Sequence, residues 1–326
     1  MSEGRLTNII VPSVFDPYTV VPSIYKSKLY NSGAMILDAS LTAKLNGGGL
    51  TFNAPFWNDV GGTTGDIPQE GTDATVNALT TGQQVMLRQL REKHWGQNDL
   101  SKVEAGESAI DALGNMVNAY YANVYDTAAI KSLYGVVLDN VANDSGDLVN
   151  DISALSGSAV NISDEAVIDA QAKLGENGDG FSTIVVHPLV AAYLRKQDAI
   201  DYVPISTQER PMARYLGMNL VEDRNATLAS TIYYSYILKP GALIYGIGTT
   251  NYTPTEVWRK QLDGFGIDVL STRRVFSIHP YGTAWAAGSV SGTSPTDAEL
   301  ALAANWNRVV ASAENMKIAV VKHKLV

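Results

Sequence analysis

Four histidines, two acidic pairs, an arginine pair and one glycine pattern are the residues whose types and spacing could do chemistry. His94, His187, His279 and His323 stand far apart, and no two are three to five residues from each other. A helical pair of metal-ligating imidazoles is therefore missing. His187 and His279 each precede a proline, one at an expected helix start and one at an expected turn, which points to local hydrogen bonding. There is no G-x-S-x-G elbow, P-loop or H-E-x-x-H. Gly246-Ile247-Gly248 opens a G-x-G pattern, but Asn251 occupies the place of the third glycine. Glu222-Asp223 and Asp66 with Glu70 could serve acid–base work, although such pairs are ordinarily solvated surface. Arg273-Arg274 falls in a strand-like run, so its side chains point to opposite faces. That suits bridging two layers better than holding one phosphate. With no cysteine in the chain, disulfides, thiolate metal sites and thiol nucleophiles are excluded together. No catalytic, cofactor-binding or metal-ligating residue is assigned, and no cofactor is expected.

The elements around these residues carry more information. A chain of 326 residues with 45% apolar content can build one large or two ordinary domains around a real core. Residues 1–30 show neither a basic n-region nor an apolar h-region, and no apolar run approaches the roughly 18 residues of a membrane span. The sequons at Asn143, Asn161, Asn225 and Asn251 are then chance matches. A net charge of −9 and a pI near 4.9 argue against tight nucleic-acid binding over a broad surface. They are compatible with a protein that sits near DNA without sticking to it.

The region from about Ala105 to Asn140 organises the chain. Ile110, Leu113, Val117, Tyr121, Val124 and Ala128 share one helical face, with Asn115, Asn118 and Asn123 largely off it. Beyond Ala128 the apolar set drifts to another side, so the helix is either buried on two faces there or bent. At full length it spans about 50 Å, long enough to be a spine for separate lobes. Ahead of it, Pro12, Pro17 and Pro22 punctuate an apolar segment, and residues 1–45 read as an extended arm packed on its own body or on a neighbouring subunit. Residues 46–100 open on Gly47-Gly48-Gly49 and carry strand-like runs at Leu50–Trp57 and Gln83–Trp95, separated by a tip with Gly61, Gly62, Gly65, Pro68 and Gly71. They read as one long β-hairpin, too extended to be stable alone.

After a polar boundary at 141–160, Ser163 is an expected helix cap, Phe181–Val186 a buried strand, and Pro188 the first residue of another helix. Strand runs follow at Met218–Val221, Ile232–Leu238 and Leu243–Ile247, which together predict a mixed lobe over 141–250. Glu256–Leu262 and Ile267–Ile278 form a second hairpin through Asp263-Gly264, and His279-Pro280-Tyr281-Gly282 a tight turn. Ser294-Pro295-Thr296-Asp297 starts a short helix carrying Leu300 and Trp306, and Ile318–Val321 is a last strand. An empty chemical signal beside abundant extended elements favours an assembly protein.

Several motifs in order carry a family resemblance. Phe265-Gly266-Ile267-Asp268-Val269-Leu270, Thr272-Arg273-Arg274 and His279-Pro280-Tyr281-Gly282 close the set. Val185-Val186-His187-Pro188 with Arg195-Lys196-Gln197-Asp198, Leu216-Gly217-Met218 leading to Glu222-Asp223, and Pro295-Thr296-Asp297-Ala298-Glu299-Leu300 with Asn305-Trp306 and Lys317-Ile318-Ala319-Val320 complete it. The chain resembles the major capsid proteins of tailed bacteriophages over essentially its whole length. The resemblance implies an α+β fold of the tailed-phage capsid (Johnson) type: an N-terminal arm (1–45), an extended loop (46–100), a peripheral domain built on the spine helix (101–140) and a β-hairpin (251–290), an axial domain (141–250), and a C-terminal segment (291–326) returning to it.

The resemblance also implies a subunit that forms hexamers and pentamers of an icosahedral virion head, assembled in the host bacterial cytoplasm around double-stranded DNA that it does not read. The expected partners are further copies of itself, a portal protein and a decoration protein. The arm starts within about ten residues of Met1, which implies a separate scaffolding protein. No lysine lies between Lys44 and Lys93, so the lysine–asparagine crosslink some members form through the extended loop is not expected. An encapsulin-like compartment shell, which resembles the same fold, and a soluble hydrolase using the acidic pairs are the alternatives.

Overall fold

Two β-sheets share one long helix, and the burial of that helix explains how the chain is put together. The computed structural model describes residues 27–58, 67, 70–71, 79–99, 110–203, 212–229, 231–248, 252–261, 265–287 and 290–326. Expectations for residues 1–26, the tip residues Gly61, Gly62, Gly65, Asp66 and Pro68, and the Asp263-Gly264 turn lie outside the described residues. In chain order come helix α1 (Lys28–Asn31), strand β1 (Met35–Leu37), helix α2 (Ala39–Leu45) and strands β2 (Thr51–Trp57), β3 (Thr81–Leu87) and β4 (Gln89–Asn98). The long helix α3 (Ile110–Asn143) is followed by β5 (Val149–Asp151), α4 (Asp164–Ala172), β6 (Thr183–Val186), α5 (Pro188–Lys196), β7 (Asp201–Val203), β8 (Met212–Tyr215), β9 (Met218–Glu222), β10 (Thr227–Ala229) and β11 (Ile232–Leu238). Then come β12 (Leu243–Gly248), β13 (Thr255–Lys260), β14 (Ile267–Pro280), β15 (Thr283–Trp285), α6 (Asp297–Leu300), β16 (Trp306–Arg308) and β17 (Ile318–Lys324).

The first sheet is organised by β14. Its residues 267–276 pair with β4, while 267–272 pair with β13 and 275–280 with β12. A strand has two edges, so β4 takes one and β13 and β12 follow each other along the opposite one; β1 adds to β12 in parallel. The second sheet runs β5-β17-β11-β6-β9-β8-β7, with β10 on β11. One face packs α4 and α5 through Ile184, Val186, Ile237 and Val321. The other face, through Val185, Tyr236 and Val320, joins a core that includes Leu270 and Phe276 of the first sheet and the α3 side chains. From Ser132 to Val137 every α3 residue is buried. The drift of apolar residues past Ala128 thus reflects a helix enclosed by both sheets, apolar all round because it meets protein all round. Asn118 is buried as well, unlike the exposed Asn123.

Local signals place the helix ends. Ser163 accepts from Ala166 N at the start of α4, and His187 with Pro188 starts α5. Thr296 and Glu299 form a reciprocal capping box at α6.

Four expectations need correction. Residues 27–45 are not an extended arm: helices α1 and α2 are capped by Ser27 and Asp38, β1 lies between them, and the segment buries Leu29, Ala34, Met35, Leu41 and Leu45. Beyond Pro22 no proline opposes helix, and an apolar stripe is available to bury. The strand run at Gln83–Trp95 is two strands: β3 pairs with β2, whereas β4, after the single residue Arg88, pairs with β14. Strand β12 belongs to the first sheet, not with the strands of the 141–250 lobe. Trp306 lies on β16, beyond the four residues of α6.

Candidate assembly surfaces

The residues singled out for chemistry are absorbed into structure. His187 Nδ1 accepts from Leu189 N at 3.2 Å; burial moves its pKa down. His279 is fully buried, and its Nε2 donates to Thr283 O at 2.7 Å. Loss of solvent pushes its pKa down to about 4. His323, beside Ser235 Oγ at 2.9 Å, is pushed to about 4 by the same cause. His94 Nδ1 lies 2.9 Å from Ser271 Oγ. Glu222 is ion-paired with Arg195, and the Asp223 carboxylate accepts from Asn225 N at 2.7 Å in a tight turn. Glu70 is exposed in a turn, and its proposed companion Asp66 lies outside the described residues. A Cβ on Gly246 would sit 2.8 Å from Leu41 Cγ, so this glycine lets α2 lie directly on β12. Among the described residues no group of three or more histidines or carboxylates could hold a metal.

The arginine pair does what its alternation implies. Arg273 is on the outside with Glu256 at 3.1 Å. Arg274 is 1% exposed and lies over the Tyr121 ring, 4.7 Å from its centre. Its Nη1 donates to Arg273 O at 2.8 Å. Tyr121 OH donates to Thr272 O at 3.1 Å, and Tyr125 meets Phe276 edge to face. These contacts weld α3 to β14. The carboxylate of Asp126, on the same helix, accepts from Ser27 Oγ at 2.6 Å and Lys28 N at 3.2 Å; burial raises its pKa. At the other end of α3, Arg308 bridges Asp147 at 2.7 Å and Asp144 at 3.4 Å. Glu299 receives the Thr296 and Ser291 amides, which hold its carboxyl down at about 2.

Against this braced interior stand incomplete surfaces. The β2–β3 pair is a two-stranded ribbon whose inner residues Phe52 and Ala54 pack on Leu41, Leu45 and Met86. Its far end presents Trp57 at 71% exposure, with Leu79 also exposed. Near the turn between β13 and β14, Phe265 is 81% exposed in the left-handed region (φ 67°) ahead of Gly266 (φ 102°). Its carbonyl accepts from Arg259, which also pairs with Asp268 at 2.9 Å. Trp258 is half-exposed on β13. Sequence reasoning found the elements but not these residues; aromatic residues at the ends of extended segments were the available signal.

The architecture is a long helix between two sheets, with a two-stranded ribbon packed on α2. In the solved structures, the capsid of Ralstonia phage GP4 has this fold, with a TM-score of 0.57 at 11% identity over 90% of this chain and 87% of that one. The Cyanophage Pam1 capsid has it at a TM-score of 0.53 and 11% identity, over 92% and 93%. No protein-family model matches the chain. In sequence it is 31% identical over 333 residues to the major capsid protein of Bacillus phage SPP1, covering all of this chain and 99% of that protein. The chain belongs to the major capsid proteins of tailed bacteriophages. Its role is structural and its place is the virion capsid; the compartment-shell and hydrolase alternatives gain no support.

Proposed function

We propose that this subunit forms hexamers and pentamers that close icosahedrally around double-stranded DNA. Assembly would take place in the host cytoplasm, on a separate scaffolding protein, with a portal at one vertex and a decoration protein outside. The observation that carries this reading is the contrast between the welded α3–β14 frame and the exposed Trp57, at the end of β2, and Phe265, ahead of β14. A frame that holds its shape while offering aromatic anchors at its extremities suits repeated contact with identical copies. The net charge of −9 suits a container, since an acidic wall repels the polyanion it encloses and leaves it free to move. The division into parts follows the two sheets. The β2–β3 ribbon acts as the extended loop, α3 with the first sheet as the peripheral domain, the second sheet with α4 and α5 as the axial domain, and the residues ahead of Ser27 as the arm. Negative-stain electron microscopy of the purified protein, alone and co-expressed with the proposed scaffolding protein, tests the proposal. Closed shells or ring-shaped capsomers are expected; a homogeneous monomer or dimer under every condition would refute it.

A further inference from the structure

The outer edge of β2 is the place where one ribbon would most readily adhere to another, yet it lacks the chemistry of an open edge. Registers run from Thr51 opposite Leu87 to Trp57 opposite Thr81. Just beyond the strand ends, Asn58 N donates to Thr80 O at 2.9 Å and Arg88 N to Leu50 O at 2.8 Å. In an antiparallel pair, bonded and non-bonded positions alternate. The even-numbered residues of β2 therefore bond to β3, and Thr51, Asn53, Pro55 and Trp57 turn their backbone groups to the outer edge. Pro55 has no N–H to offer there. The Asn53 carbonyl is already occupied, because Lys44 Nζ, from the last turn of α2, donates to it at 2.8 Å. The two blocks are adjacent outward positions in the middle of the strand. What remains open is Thr51, the Asn53 N–H, the Pro55 carbonyl and Trp57, so neither central outward residue can exchange both bonds of an antiparallel ladder. Proline and lysine are the residues that disarm sheet edges elsewhere. The same odd-numbered residues expose their side chains, Trp57 among them.

We propose that Pro55 and Lys44 close the outer backbone edge of the ribbon, so that a neighbouring copy of this chain meets the ribbon through its exposed side-chain face, anchored by Trp57, and not by strand addition. The proposal rests on the shell-forming reading, and its test separates the two. Residue-level hydrogen exchange is measured on unassembled subunits and on closed shells. The amides of Thr51, Asn53 and Trp57 are expected to slow by less than about tenfold on assembly, while those of Phe52, Ala54 and Phe56 are protected in both states. Slowing of the three outward amides by about 100-fold or more in shells would overturn the proposal while leaving the shell reading intact. A second arm needs no shells. The Lys44→Met/Pro55→Val double variant, unassembled, is expected to associate into thioflavin-binding, elongated aggregates at concentrations where the parent does not. If it stays as monodisperse as the parent, the edge is not closed by these residues and the proposal fails.

Discussion

Gly135 offers a test in which the usual sign of a substitution reverses. It lies within α3, where Gly→Ala ordinarily gains about 1 kcal/mol of helix propensity. Here a Cβ would fall inside the contact radius of Leu300 O and Trp306 Nε1, and 2.6 Å from Trp306 Cδ1. Those atoms are joined by a hydrogen bond of 2.7 Å from the indole to the carbonyl. Trp306 is 3% exposed and packed against Trp285 and His279, so it cannot swing aside. Gly135→Ala must move the α6–β16 segment by about an ångström or break that bond. Overpacking costs about 1–3 kcal/mol, and a buried N–H left unpaired about 1–3 kcal/mol. Where both costs are met, less the helix gain, the net loss is roughly 1–5 kcal/mol. Urea unfolding of unassembled protein, followed by tryptophan fluorescence, reads it as a lower midpoint. In a Trp306→Phe background the further cost of Gly135→Ala shrinks only by the share of the lost indole hydrogen bond, since the Leu300 carbonyl still meets the added Cβ. A Gly135→Ala protein as stable as the parent, or more stable, would refute the reasoning.

Three further outcomes are expected. His279 and His323 have folded pKa values near 4 against an ordinary 6.5, so the unfolded chain binds their protons first; the stability they confer is whole above pH 6.5 and drains as pH falls toward 4, by at most about 3 kcal/mol each. Buried Asp126 and Asp139, whose pKa values are raised by desolvation, work in the opposite sense, so the histidine contribution is isolated by comparing urea midpoints of parent and His323→Gln between pH 7.5 and 5; equal slopes would contradict it. Arg274→Ala removes the buried cation over Tyr121 and leaves the Arg273 carbonyl without its donor, at a cost of roughly 3 kcal/mol, measured as a fall in the urea midpoint, whereas an unchanged midpoint would contradict the weld. Mature particles on a denaturing gel give a single monomer band, because no lysine is available between Lys44 and Lys93; a ladder of crosslinked chains would disprove this.

What could be read from the sequence was local. Ser163, Pro188 and Thr296 mark helix starts through hydrogen bonds that span three residues, and the strand runs at Ile232–Leu238 and Ile267–Ile278 mark themselves by composition. The long helix was legible from its stripe. Partnerships were not. Strand β4 finds β14 some 170 positions away, and nothing in Gln89–Asn98 says that it leaves the ribbon at Arg88. Strand β12 resembles its neighbours in sequence yet pairs in the other sheet. The three prolines before Ser27 lent an extended character to α1 and α2 that those segments do not have. Gly246 looked like part of a phosphate loop, although its lack of a side chain serves the contact with Leu41. The exposed aromatics Trp57 and Phe265 did not stand out because periodicity reports what is buried.

A mechanical consequence follows from the one-residue joint at Arg88. Strand β3 passes into β4 with no linker, and β4 is bonded along ten residue positions to β14, which is in turn bolted to α3 through Tyr121 and Arg274. The ribbon is thus built into a wall at its root and rests on the body along its length, through Lys44 on Asn53 and, at its far end, a cavity that Phe56 and Trp57 line together with Val309 and Val310. A load at Trp57 meets no soft hinge at the root; it passes into the first sheet and, through the welded helix, into the core shared with the second. Within such a frame each subunit would feel strain at its tip as a twist of its whole body.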